Sequence, residues 1–159
     1  MNKTVVLQKL IEQFEREVFE QSQSARSAHE AATHEESKAE DRHDTFAIEA
    51  SYLAQGQANR IQELEKVIQE FRAYLERSSQ AYNRVAEGAL ITLRLGTRTL
   101  LTFFAKSGGG SSLRLDGSEV SVVTSESPLG DALLDASKGD EIEVESKNGL
   151  RTYHVVAIS

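Results

Sequence analysis

Val5-Val6-Leu7-Gln8-Lys9-Leu10-Ile11-Glu12-Gln13-Phe14-Glu15-Arg16-Glu17-Val18 and, later, Ile61-Gln62-Glu63-Leu64-Glu65-Lys66-Val67-Ile68-Gln69-Glu70-Phe71-Arg72-Ala73-Tyr74-Leu75 decide the fold. In the first stretch Leu7, Ile11, Phe14 and Val18 step by alternating four and three residues, and the series runs on through Gln21, Ala25, Ala28 and Ala32. The second stretch closes a series of the same kind: Ala50, Ala54, Gln57, Ile61, Leu64, Ile68, Phe71 and Leu75. Alternation of that period places one apolar seam along an α-helix, so two long helices are expected. Between them the polar stretch Thr33–Thr45 interrupts the seam.

Helices that fold back on each other should pair seam positions of constant index sum. The pairs Leu7/Leu75, Phe14/Ile68, Val18/Leu64, Ala28/Ala54 and Ala32/Ala50 all sum to 82, which centres the turn near Asp41. Bulky residues fill the base of the seam and alanines the end near the turn, with Gly56 among them, so a thin arm is expected. From Leu7 to about Glu36 it would extend roughly 45 Å at the helical rise. The alternative is an intermolecular coiled coil that makes a dimer; one continuous dimerising helix would carry its seam through Thr33–Thr45. A monomer is therefore expected, with a hairpin over residues 1–84.

From Gly88 onward the texture changes. Nine of the ten glycines and the only proline fall in this part, and turns become frequent. Short β-branched and aromatic runs (Ala89–Leu95, Arg98–Ala105, Val120–Thr124, Glu141–Glu145, Thr152–Ile158) read as strands. Asn148-Gly149 marks a hairpin, Gly108–Ser112 a flexible loop, and Ser127-Pro128 ahead of Leu129, Ala132, Leu133 and Ala136 an N-capped short helix. The fold class is therefore α+β: an antiparallel coiled-coil hairpin, then, over residues 85–159, a small bent antiparallel sheet with one short helix.

The chain's 159 residues carry 18 Lys+Arg against 25 Asp+Glu, a net charge of −7. Free nucleic acid is disfavoured as the primary ligand by that balance, and a positively lined partner surface is favoured. Zero cysteines exclude disulfides, thiolate metal sites and cysteine nucleophiles. The N-terminus lacks the apolar core of a secretion signal, and no stretch has the length of a membrane span, so a cytoplasmic protein without membrane contact is expected.

Charge concentrates at the expected turn. From His29 to Glu49 there are seven acids (Glu30, Glu35, Glu36, Glu40, Asp41, Asp44, Glu49) and two bases (Lys38, Arg42). Such a cluster can serve solubility and helix capping alone. Carried on a rigid arm, its carboxylates could instead be delivered to a hard, oxygen-seeking cation such as Mg²⁺. His29 and His34 are five apart, about 140° around a helix, which does not suit zinc. Gly108-Gly109-Gly110 lacks the residues of a phosphate loop, and no Gly-x-Ser-x-Gly occurs for a hydrolase. A self-contained enzyme is not expected.

The stretch Ser125-Glu126-Ser127-Pro128-Leu129-Gly130-Asp131-Ala132-Leu133-Leu134, with Lys138-Gly139-Asp140-Glu141-Ile142-Glu143-Val144 and the closing Tyr153 strand, resembles the end of bacterial transcript cleavage factors of the GreA/GreB type. With the hairpin, the resemblance covers nearly the whole chain. It implies an FKBP-like C-terminal domain that docks on RNA polymerase at the rim of the secondary channel, against the β′ subunit. Glu126, Ser127 and Pro128 would make that contact, with Glu where the family more usually has Asp. The hairpin would then reach toward the catalytic Mg²⁺ and the RNA 3′ end.

At the tip this family carries an acidic pair followed by a Tyr. Asp44 best matches the first acid and Tyr52 the aromatic; Ala47 and Ile48 stand where the second acid would fall, and Asp41 could replace it from one helical turn away. The resemblance thus implies catalytic roles for Asp41 and Asp44, with Glu40 in reserve, as ligands of a Mg²⁺ shared only in the polymerase site. No cofactor is expected to bind the chain alone. The alternative is a regulator that occupies the channel and competes with cleavage factors without stimulating cleavage. A coiled-coil scaffold unrelated to transcription is a third reading. Prolyl isomerisation is disfavoured, because Phe103, Phe104 and Tyr153 are too few aromatics for a proline pocket.

Overall fold

A computed structural model describes residues 1–36, 43–147 and 149–159, with the backbone alone for residues 28–36 and 43–51. Two helices of 34 residues each, α1 (Lys3–Glu36) and α2 (His43–Glu76), form the helical hairpin. Six strands and a short helix follow: β1 (Leu90–Leu95), β2 (Arg98–Phe104), β3 (Ser112–Leu115), β4 (Ser118–Val123), α3 (Pro128–Leu133), β5 (Glu141–Ser146) and β6 (Gly149–Ile158). The chain divides into two compact units. One comprises Ile11–Gln69; the other joins Met1–Leu10 to Glu70–Ser159.

Within the first unit the seam is where the spacing puts it. Ile11, Phe14, Leu64 and Ile68 are buried, joined by Val67. Val18, Gln21, Ala25, Gln57 and Ile61 are half-buried, while Ala54 is exposed. Burial therefore weakens from the bulky base of the seam toward its alanine end, as the side-chain volumes require. The turn near Asp41 lies outside the described residues.

In the second unit the strand order is β3-β4-β2-β1-β6-β5. The sheet is mixed where a wholly antiparallel one was expected: β2 and β4 run parallel, Leu101 to Phe104 against Val120 to Val123. The cause is an extra strand, β3, that the loop reading of Gly108–Ser112 had hidden. Leu115 pairs with Ser118, leaving Asp116 and Gly117 as a two-residue turn with φ of 49° and 76°. Positive φ at both positions is what a tight hairpin of matching twist demands. The β3–β4 hairpin lays its second strand against β2, and two reversals of direction after β2 make that pairing parallel. At the other end of the chain Ser146 pairs with Gly149, so the β5–β6 connection begins one residue before the Asn-Gly pair; Asn148 lies outside the described residues.

Both faces of the sheet are covered near its centre, which explains the unbroken buried run Ala89-Leu90-Ile91. On one face Ile91, Leu93, Phe104, Ile142, Val144, Tyr153 and Val155 form a core with Leu133 of α3. On the other, Leu90 pairs with Phe103 and Phe103 with Val122, and the Phe103 ring meets Phe71 and Tyr74 at centroid distances of 5.4 Å and 5.6 Å. The first turns of α1 bury Lys3, Val6, Leu7 and Leu10 in this same unit. Lys3 Nζ donates to the Gln80 carbonyl at 3.0 Å and lies 4.5 Å from the Tyr82 ring centroid; burial holds its amine below the ordinary lysine range.

Candidate functional site

The N-terminus of α3 is built from one serine and one glycine. Ser127 has extended backbone (φ −89°, ψ 148°) and caps the helix: its Oγ accepts from the Gly130 amide at 3.1 Å and donates to the Thr124 carbonyl at 2.8 Å. Pro128 follows at the first helical position, where its missing N–H costs nothing. Gly130 is buried against the chain that enters the helix. A Cβ there would stand 1.9 Å from the Thr124 carbonyl oxygen, so no side chain fits. Leu133 anchors the helix in the core, and Leu129 and Ala132 pack beside it.

What remains outside is a short polar and apolar rim. Glu126, Pro128 and Asp131 are exposed and Ser127 is half-buried; Leu134 at the C-cap is also exposed. The structure therefore brings Glu126, Ser127 and Pro128 together but gives them unequal freedom. The Ser127 hydroxyl donates its only proton within the module, so its first task is to hold the helix, while Glu126 and the Pro128 ring are free to meet a basic or apolar partner surface.

Of the tip residues, Glu40 and Asp41 lie outside the described residues, and Asp44 falls in the first turn of α2 with its side chain outside them. Among the described residues no group of three or more His, Asp or Glu could hold a metal ion. His154 lies in β6 and its Nδ1 is 3.1 Å from a Glu141 carboxylate oxygen across the strand pair. No helix among the described residues is long and apolar enough to cross a membrane.

Sequence reasoning missed a second polar centre. Glu70, near the end of α2, receives four hydrogen bonds on one carboxylate. Oε1 accepts from the Lys106 amide at 3.0 Å, the Ser107 amide at 3.1 Å and the Tyr74 hydroxyl at 2.7 Å; Oε2 accepts from Ser107 Oγ at 2.7 Å. The Lys106 amide is shared with Tyr74 Oη at 3.1 Å. Burial, reinforced by the hydrogen bond to the Glu70 carboxylate, pushes the Tyr74 hydroxyl above the ordinary tyrosine range. Nothing in the sequence separates Glu70 from the other glutamates flanking the seam; only the fold brings the turn after β2 to it.

A helical hairpin and a mixed-sheet module with a capped, exposed helix terminus define the class. Residues 116–159 match the family described as "Transcription elongation factor, GreA/GreB, C-term". Over that segment this bears out the resemblance read from Ser125–Leu134 and Lys138–Val144. None of the curated proteins compared with the sequence matches it. Among solved structures, Gfh1 of Thermus aquaticus is similar over 92% of each chain at 19% identity, with a TM-score of 0.40. GreA factor homolog 1 (Gfh1) of Thermus thermophilus is similar over 94% of each at 17% identity and 0.38. The GreA/GreB factor of Nitrosomonas europaea is similar over 56% of this chain and 78% of that one, at 16% identity and 0.36.

Proposed function

We propose that the chain is a transcription elongation factor that binds bacterial RNA polymerase through residues 85–159 and inserts the acidic end of its hairpin, within residues 1–84, into the secondary channel. The observation that carries the reading is the capped α3 terminus inside the matched segment, with Glu126 exposed just before the Ser127 cap and Pro128 exposed at the first position of a helix that Gly130 and Leu133 seat against the module. Docking there would contact the β′ subunit at the channel rim.

The outcome in the channel is Mg²⁺-dependent cleavage of backtracked transcripts. Asp41 and Asp44, with Glu40 beside them, are hard oxygen donors suited to Mg²⁺, and they would help hold an ion in the polymerase site near the RNA 3′ end. An ion shared with the phosphodiester supplies an activated water and neutralises developing charge. The chain's own residues bring acceptors to that site and orient the water; the protein binds no cofactor alone and turns over no substrate alone. A second reading is favoured by Ala47 and Ile48, which replace the second acid of the tip pattern. In it the factor occupies the channel and competes with cleavage factors without stimulating cleavage.

Polymerase halted in a backtracked complex with Mg²⁺ separates the two. The expected result is transcript shortening with the wild-type chain and its loss in the Asp41→Ala/Asp44→Ala variant while binding persists. Binding without shortening selects the competitor, and absence of binding overturns both readings.

A further inference from the structure

Leu134 directly follows α3 and is 49% exposed, although Leu133 before it and Ala136 two residues on are buried in the core. An exposed leucine is ordinary by itself. This one has two further features, both within the sheet unit.

The first is a fixed backbone. The Leu134 amide donates to the Gly130 carbonyl at 3.1 Å and to the Asp131 carbonyl at 3.3 Å. On the other side the Asp135 amide donates to the Val85 carbonyl at 3.2 Å, and the Val85 amide to the Ala136 carbonyl at 2.8 Å. Val85 is itself fully buried. Residues 134–136 are thus pinned by α3 and by the chain around Val85, and a half-exposed apolar side chain stands on a backbone with little freedom left to lose. That is the condition under which burial against a partner yields the most affinity.

The second is the charge around it. From Ser125 to Ser137 there are three acids, Glu126, Asp131 and Asp135, and no base. All three acids are exposed, and none is paired with a base among the described residues. Asp135 takes a φ of 61°, the left-handed conformation past a helix end that glycine usually fills. An aspartate there sets a carboxylate next to Leu134 at some backbone cost. The surface that complements this end of α3 is apolar at its centre and basic at its rim.

We propose that Leu134 is the apolar anchor of the docking surface: it enters an apolar socket on RNA polymerase, and arginine or lysine side chains around that socket meet Asp131 and Asp135. The identity of the partner rests on the function proposed above; the anchor extends the docking surface from Glu126 and Pro128 to the opposite end of α3.

Binding of the full-length chain to purified polymerase, measured at several salt concentrations, tests this. Leu134→Ala should weaken binding about tenfold at every salt concentration, while Leu134→Met, which keeps the volume, stays within about threefold of wild type. Leu150→Ala removes an equally exposed leucine from β6 and should leave affinity within about twofold. The double variant Asp131→Asn/Asp135→Asn should flatten the fall of affinity with salt. The melting midpoint of Leu134→Ala should lie within about 3 °C of wild type. Wild-type binding that Leu134→Ala leaves unchanged, or that Leu150→Ala weakens as much, overturns the anchor. So does a midpoint lowered by more than about 5 °C, which would assign Leu134 to the module's own packing. An unaltered salt dependence in the double variant overturns the basic rim. If the wild-type chain does not bind polymerase at all, the function proposed above fails and the anchor falls with it.

Discussion

Gly130 shows how much one missing methyl group determines. The helix needs its N-terminus close enough to the incoming chain for Ser127 to reach both the Thr124 carbonyl and the Gly130 amide. That approach leaves 1.9 Å to the Thr124 oxygen and 2.6 Å to its carbonyl carbon for a Cβ at position 130, and both atoms are backbone. Gly130→Ala should therefore force the cap apart and cost about 2–4 kcal/mol, read as a lower urea midpoint at unchanged slope; a cost under about 0.5 kcal/mol is incompatible with the packing described. Tyr74 tests the other polar centre. Burial and then Glu70 raise its hydroxyl above the ordinary value, which is about 10. As pH rises past that value the unfolded chain gives up this proton first and the folded chain retains it, so this stabilisation is complete below about pH 10 and lost above it. Thermal unfolding of wild type and Tyr74→Phe should accordingly show a difference in stability that shrinks above pH 10, whereas parallel profiles would contradict the assigned environment.

Among elements, legibility follows how local the determining interactions are. The seam of α1 and α2 is periodic over many residues, so Ile11, Phe14, Leu64 and Ile68 could be assigned to the interior from spacing alone. The α3 terminus was equally legible, because Ser127 and Pro128 act within one helical turn. The β3 strand was not. Its four residues alternate only weakly in burial, and the preceding run of glycines masked the Asp116-Gly117 signal that defines the β3–β4 hairpin. Parallel pairing of β2 with β4 joins residues about nineteen positions apart, such as Leu101 and Val120, and no local pattern encodes that choice. Glu70 was invisible for the same reason, since its partners come from a turn 36 and 37 residues further on. The acids at the tip were legible as composition and by resemblance; their arrangement depends on a turn outside the described residues.

At the scale of the molecule, the structural division differs from the change in composition near Gly88. The sheet shares its compact unit with the first turns of α1 and the last of α2, and these elements bury six side chains there: Lys3, Val6, Leu7, Leu10, Phe71 and Tyr74. A fragment starting at Val85 would lose all of them and uncover Phe103, whose exposure alone costs about 2–3 kcal/mol. Leu90 and Val122 share its face and would add to the loss. Small domains retain a margin of only about 5–15 kcal/mol, and each kcal/mol moves the midpoint of a 60–100-residue domain by about 4–8 °C. The fragment 85–159 should therefore melt at least about 15 °C below the intact sheet unit and bind a hydrophobic dye. A variant that retains residues 1–10 and 70–159, with a Gly/Ser linker in place of residues 11–69, should unfold cooperatively near the wild-type midpoint. If instead the shorter fragment melts as cooperatively and as high as the longer one, the sheet is self-sufficient and the helix ends contribute nothing to its stability; the wide apolar face of Phe103 would then need some other cover in the isolated module.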